Sequence, residues 1–551
     1  MRLFSAVPLG LLALASISCD GLPLAGLGGR ARVVKRETLS GPAIAAHFEA
    51  RLEADQASLR ELAEADVEPA APVAAIEPDW SEIDKAEPEA AEPEEDDDAA
   101  ARARIEAEAN VDDSQPRLVS IAKETWVFSQ PSRKKSRRIG YLRAGAIVNR
   151  SAKPAGTAGC KGGWYQIEPE GFVCLGRTAS LDPFHPIARA ASVRPKRDGL
   201  PYDYVMARTP GPTFYGRVPS TEEQSRAEPD LGYFKKKLKS IERDPAFVPL
   251  PEAGPMPPSL LYGRPLPLLA DAPPRPQDQL VVGRAGIRSG FALLGQFEQD
   301  DRRFGLTTDL NVIPLDRTRW VKPTTFHGIE LGDEVTLPVA FVMKKRATHF
   351  AREEGGRMRA TDPLSYREAV PLTGLKQGGY AEAKDGSWLK LEDIRTIEPM
   401  TRAPVWAKEG KKWIDVSILE QSLVAYEGEK PRYVTLVSTG ADGLGDPKKT
   451  HSTVQGVFLI HTKHVTVTMD GDETGDEFDL RDVPFVQYFT DGYALHAAYW
   501  HDDFGVPRSH GCVNLAPVDA AWLFGFTTPD VPAAWHAALS LKRGTVVFTH
   551  P

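Results

Sequence analysis

Cysteine and histidine crowd one stretch near the end of the chain, YALHAAYWHDDFGVPRSHGCVNLAP, which sets Cys512 among His496, His501 and His510. A thiol with the ordinary pKa of about 8.5 is only a few per cent ionised at neutral pH. It becomes a useful nucleophile when its thiolate is stabilised, commonly by a neighbouring imidazolium. Gly511 removes a Cβ where a substrate carbonyl would have to approach the backbone. It also lets consecutive N–H groups converge on one point, as an oxyanion hole requires. Strand-like alternation keeps Asn514 on the side of Cys512, where it holds the loop or touches substrate. These side chains are also zinc-ligand types, but their spacing fits no finger or zincin pattern. No metal and no organic cofactor is expected.

The other three cysteines have different prospects. Arg2 and the apolar run from Leu3 to Ile17 form a segment too short to span a bilayer permanently. Ser16-Ile17-Ser18-Cys19 then resembles a bacterial lipobox, in which the cysteine is lipidated, although Ser16 stands where Leu or Val is usual. Ordinary signal-peptide cleavage is the alternative. Either route takes the chain out of the cytoplasm to the periplasm or cell envelope, and the first attaches it to a membrane through Cys19. In that oxidising setting Cys160 and Cys174, which lie in the turn-rich stretch GCKGGWYQIEPEGFVCLG, are expected to form a disulfide. Cys512 is then the odd thiol out, and an unpaired cysteine in an exported protein is the one to suspect of reactivity.

The elements that would position these residues are mostly strands. The net charge of −9 hides an uneven distribution, because residues 46–113 hold 23 Asp/Glu against 5 Lys/Arg, a balance of −18 that leaves +9 elsewhere. Segments such as EPEAAEPEEDDD carry too few large apolar residues to offset their ordering entropy, so disorder is expected. Nothing in the residue pattern points to nucleic acid. Residues 1–19 read as the signal segment and 20–115 as tether and acidic linker. Residues 116–182 show five short β-like runs between turn residues, and 183–400 read as one or two further β-rich units without nameable chemistry. From 401 to 551 apolar and polar residues alternate again, with only PVDAAWLFGF and VPAAWHAAL looking helical. His461 and His464 fall on an alternating strand and read as surface residues.

Residues 116–182 resemble the small Src-homology-type barrels that accompany bacterial wall enzymes. The C-terminal unit resembles the L,D-transpeptidase catalytic domain, also called the YkuD domain. Its signature places a histidine ahead of [ST]-H-G-C, a hydrophobic residue, and Asn or Arg. Here that reads His496, then Ser509-His510-Gly511-Cys512-Val513-Asn514, with residues 497–508 between. WIDVSILEQSLVAYEGEKP and STVQGVF resemble the domain's opening hairpin and its Gly-x-Phe segment.

The resemblance implies a mainly β fold ending in an L,D-transpeptidase-type β-sandwich. It implies Cys512 as nucleophile, His496 as base and the Ala497 carbonyl as the base's partner. It further implies oxyanion amides from Gly511 and Cys512, an orienting role for His510, and Ser509 and Asn514 as braces of the loop. Tyr499 and Trp500 would line the substrate groove. The implied partner is the peptidoglycan stem peptide, cut at the L-centred third residue and joined to an amine of a second stem in a 3→3 cross-link; water or a lipoprotein amine is the alternative acceptor, and a non-catalytic wall-binding protein the rival reading.

Overall fold

The computed structural model describes residues 115–551 except 246, 287 and 472–477. The signal segment, Cys19 and the acidic linker therefore lie outside the described residues. Strands dominate the remainder.

Residues 117–180 form a small β unit. Arg117–Ser120 lies between Ile147–Asn149 and Ala179–Ser180, while Thr125–Phe128 pairs with Arg138–Leu142 and Phe172–Cys174. Alternation in Thr125–Phe128 buries Val127 and leaves Trp126 part-exposed, where the Arg138 guanidinium covers its ring. Cys160 and Cys174 are joined by a disulfide with their Cα atoms 5.8 Å apart. The basic loop 133–138 is a largely exposed hairpin connection. The core of this unit includes Leu118, Val127, Leu142 and Val173, and Trp535 from the far end of the chain completes it.

That last contact explains one departure from expectation. VPAAWHAAL is not a helix: Ala537–Leu539 is a strand, held between Thr462–Gly471 on one side and Arg138–Leu142 on the other. Pairing on both edges, with Trp535 pressed against Gly140, outweighs the helix preference of its alanines.

Two further β groups follow. One contains Asp203–Ala207, Thr213–Tyr215, Ser289–Gln299, Arg302–Thr307 and Thr318–Trp320. It also carries helices Thr221–Ala227 and Leu231–Ile241, which sequence alternation did not reveal. Ser220 and Glu223 form a capping box at the first of them. The other group runs from Val339–Val342 to Ile394–Ile397. Both groups close with a strand, a single 3-10 turn and a strand, at 312–320 and at 388–397.

The C-terminal unit sets two sheets around one core. Lys412–Ser417, Ser422–Glu427 and Lys430–Leu436 form a meander, and Val546–His550 runs parallel to its first strand. Ile329–Glu330 adds to the outer edge of this sheet, so chain preceding residue 401 contributes to it. The second sheet contains the hairpin Thr462–Gly471 and Phe478–Thr490, then Tyr493–Ala497 and Val513–Leu515. Ile414, Leu423, Phe485, Leu495, Val513, Leu523 and Val547 meet between the sheets and helix Pro517–Phe526. Each such side chain contributes roughly 1.5–3 kcal/mol by burial.

The helix also fixes a buried carboxylate. Asp519 accepts hydrogen bonds from Gly328 N–H (2.9 Å), Tyr433 O–H (2.8 Å) and Thr435 O–H, and its burial raises its pKa to about 6.

Candidate active site

Strand register sets His496 and Cys512 on one face. Tyr493–Ala497 and Val513–Leu515 run parallel, with His496 opposite Asn514 and Leu495 opposite Val513. Opposite residues share a face, and Cys512 precedes Asn514 by two positions, so Cys512, Asn514 and His496 lie on one face of the sheet. Both strands are short and almost wholly buried, and Ser438 pairs with Asn514 beyond them. The site therefore rests on rigid strands, although the thiol itself sits just before a strand begins.

The ring orientation of His496 follows from one bond. Its Nδ1 lies 3.0 Å from the Ala497 carbonyl oxygen, which can only accept, so Nδ1 carries the proton and Nε2 keeps the lone pair of a base. Burial lowers its pKa to about 4 against the opposing pull of that carbonyl. Cys512 moves the other way: burial raises its thiol to about 11, opposed by a backbone contact with Ala494. Cys512 as a residue is half-buried by surface area, and its sulfur approaches the Gly492 carbonyl at 3.6 Å.

Burial thus favours the thiol form of Cys512 and the neutral imidazole of His496. Neither charge is favoured in so apolar a setting.

The loop before Cys512 is held by its own hydrogen bonds. Ser509 Oγ donates to the Cys512 carbonyl at 2.5 Å and accepts from Gly511 N–H at 3.0 Å. Thr453 Oγ1 donates to the Gly511 carbonyl at 2.7 Å. Ser509 thus braces the loop. The Gly511 amide is already committed to Ser509, which corrects its expected place in an oxyanion hole and leaves the Cys512 amide as the predicted donor. What Gly511 supplies is conformation. Its φ of +126° is a left-handed value, and a Cβ there would fall 2.7 Å from the Tyr493 ring.

Three other expected roles change. Tyr499 does not line a groove: it is 6% exposed, stacks on Tyr204 and donates to the Arg481 carbonyl at 3.2 Å. Of its two expected roles Asn514 takes that of a brace, holding His501 of the loop, and it does not face substrate. It is 2% exposed, and its side-chain amide meets His501 Nε2 at 2.9 Å. Because His501 Nδ1 accepts from Asp503 N–H, Nε2 carries the hydrogen, and Asn514 must present its oxygen there. His461 and His464 are half-buried rather than surface residues, and His464 Nδ1 lies 3.0 Å from the Tyr141 hydroxyl of the first β unit.

Trp500 remains part-exposed beside His496, with ring centroids 5.8 Å apart. His510 is exposed, between the rings of His451 at 4.5 Å and Phe478 at 5.3 Å. Among the described residues no three His, Cys, Asp or Glu side chains converge as metal ligands.

Two tyrosines escaped the sequence reading. Tyr488 and Tyr493 are both raised in pKa, first by burial and next by Cys512, which puts their hydroxyl ends in the field of the thiol. Tyr493 stands three residues before His496, where strict alternation assigns it to the opposite face. The structure keeps it there, packed against the core that holds Leu495 and Val513, and its hydroxyl donates to the Pro447 carbonyl at 3.2 Å.

Residues 411–547 match the family model of the L,D-transpeptidase catalytic domain. L,D-transpeptidase 1 of Mycobacterium tuberculosis is 28% identical over 188 residues, covering 31% of this chain and 74% of that protein. YciB of Bacillus subtilis is 26% identical over 143 residues, covering 21% of this chain and 61% of its own length. The chain therefore spans less than two thirds of YciB. The catalytic domain of the Enterococcus faecium L,D-transpeptidase is 22% identical, with 26% of this chain and 98% of that domain aligned at a TM-score of 0.20. Its ertapenem-acylated form gives 22% identity, 25% and 97% coverage and a TM-score of 0.20.

Proposed function

We propose that this chain, carrying an L,D-transpeptidase catalytic domain at residues 411–547, forms 3→3 cross-links between peptidoglycan stem peptides through a Cys512 thioester. The observation that supports it most is the His496–Ala497 bond, which leaves a neutral imidazole lone pair on the face it shares with Cys512. Substrate binding would exclude water. His496 then takes the thiol proton as sulfur attacks the carbonyl of the third stem residue. Collapse of the tetrahedral adduct breaks the bond to the terminal D-Ala, whose nitrogen receives that proton from His496. The donor stem stays on sulfur as a thioester.

An amine of a second stem attacks the thioester in turn. It passes a proton to His496, forms the new amide and expels the thiolate, which regains the proton. The Cys512 amide is the donor proposed for the oxyanion in both halves. The same reading exports the chain, with Cys19 as a candidate lipid anchor. Loss of membrane association in Cys19→Ser tests that part.

The test of the reaction is to incubate the protein with wall fragments bearing tetrapeptide stems, digest the product and weigh the fragments. A cross-linked dimer with one equivalent of free D-Ala is expected. Tripeptide stems alone would mean that water is the acceptor, and unchanged substrate would overturn the proposal.

A further inference from the structure

The loop between base and nucleophile is gripped from outside by the β group at 339–397. Arg367 Nη1 donates to the Asp502 carbonyl at 2.9 Å and its Nη2 to Asp502 Oδ2 at 2.7 Å. Arg395 Nη1 donates to the Gly505 carbonyl at 2.8 Å. Thr324 Oγ1 donates to the other Asp502 oxygen at 2.6 Å, and Phe504 stacks on Phe326 with centroids 5.7 Å apart. On its inner side the same loop presents His501, which meets Asn514 at 2.9 Å. Asn514 is the register partner of His496 and lies two residues from Cys512. Contacts therefore run without a gap from Arg367 through Asp502 and His501 to the strand that carries the nucleophile.

We propose that Arg367 is a positioning residue for the transfer reaction: it holds the 501–505 loop in the shape that seats His501 on Asn514 and so aligns Cys512 with His496. This rests on the reading of Cys512 and His496 as the reacting pair. Two features set Arg367 apart from a surface ion pair. It is 9% exposed, and its guanidinium lies over the Phe326 ring at 4.8 Å, within the packing that holds Phe504. Its backbone is left-handed, with φ +64°, a strained conformation for a residue with a Cβ that persists where the surroundings demand it. Lysine cannot reproduce the two-pronged grip on one residue's carbonyl and carboxylate. A misplacement of about 1 Å at reacting atoms can lower the rate on the order of 10²-fold, which is the scale available to such a clamp.

The experiment measures kcat and KM for tetrapeptide donor in the full chain carrying R367A, R367K, D502A and the double change R367A/D502A. R367A and D502A should each lower kcat at least tenfold with KM within twofold. The double variant should be no worse than R367A, and R367K should recover part of the loss. Because the Asp502 side chain is largely exposed, D502A should fold even where R367A does not, and it then carries the test alone. Unchanged kcat in soluble D502A, or losses confined to KM, overturn the proposal. C512A is the control that separates the two ideas. Turnover surviving in C512A would defeat the functional reading itself, whereas a dead C512A beside a fully active D502A would defeat only the clamp.

Discussion

Thiol alkylation as a function of pH probes the resting state of the site. The Cys512 thiol is raised to about 11 by burial, so near pH 8 its thiolate is on the order of 100-fold scarcer than that of an unshifted cysteine. Because alkylation proceeds through the thiolate, iodoacetamide should modify Cys512 roughly 100-fold more slowly than a small model thiol. The rate should climb about tenfold per pH unit through pH 9 without a plateau. His496→Ala should change it little, because the imidazole, at about 4, carries no charge to lose over that range. The assay is peptide-level mass spectrometry of timed, acid-quenched samples, which separates Cys512 from Cys19. A plateau with an apparent pKa below 7 that disappears in His496→Ala would refute the reasoning, since that pattern requires a resting thiolate–imidazolium pair.

Acid should unfold the chain steeply. His464 and His496 at about 4, His501 at about 3 and His536, well below its usual value, are all held neutral by burial, whereas the unfolded chain protonates histidine near 6.5. Asp519, raised to about 6, opposes them by one proton, so the histidines prevail and stability should fall as the pH drops from about 6 to 4.5, and a urea midpoint unchanged from pH 7 to 5 would count against it. Gly511→Ala must adopt a left-handed φ against the Tyr493 ring, costing about 1–3 kcal/mol, and should depress turnover far more than the unfolding temperature. Replacing Cys160 and Cys174 together by serine should destabilise the first β unit by about 3 kcal/mol, read as a lower denaturant midpoint, while sparing the chemistry at Cys512.

The chemistry was legible where residue type and spacing coincide. Cys512, Gly511 and Ser509 lie in one tetrapeptide, and a histidine upstream on an alternating strand needs only parallel pairing to reach them. The mainly β character could be read for the same reason, because period-two alternation is local. What stayed hidden depends on distant chain. Tyr499 reads as a groove residue until Tyr204, nearly three hundred positions away in sequence, is found stacked on it. Ala537–Leu539 is helical by composition and becomes a strand because two other strands flank it.

Buried charge was the least visible. Asp482, bound by Arg143, Thr308 and Thr466, and Glu228, shared by Arg302 and Arg317, look like ordinary surface charges in a linear reading. Asp482 draws Arg143 and Thr308 from other β units, and Glu228 draws both arginines from strand and turn more than seventy residues on, so only the assembled fold identifies them as buried and satisfied.

The account turns on a covalent bond to one sulfur. The most direct measurement is the intact mass of protein quenched in acid during turnover of a tetrapeptide donor, followed by mapping of the modified peptide. An adduct equal to the donor less D-Ala, located on Cys512 and absent from Cys512→Ala along with all turnover, is the predicted result. Turnover that persists in Cys512→Ala, or that proceeds in the wild type with the adduct on another residue, would contradict it.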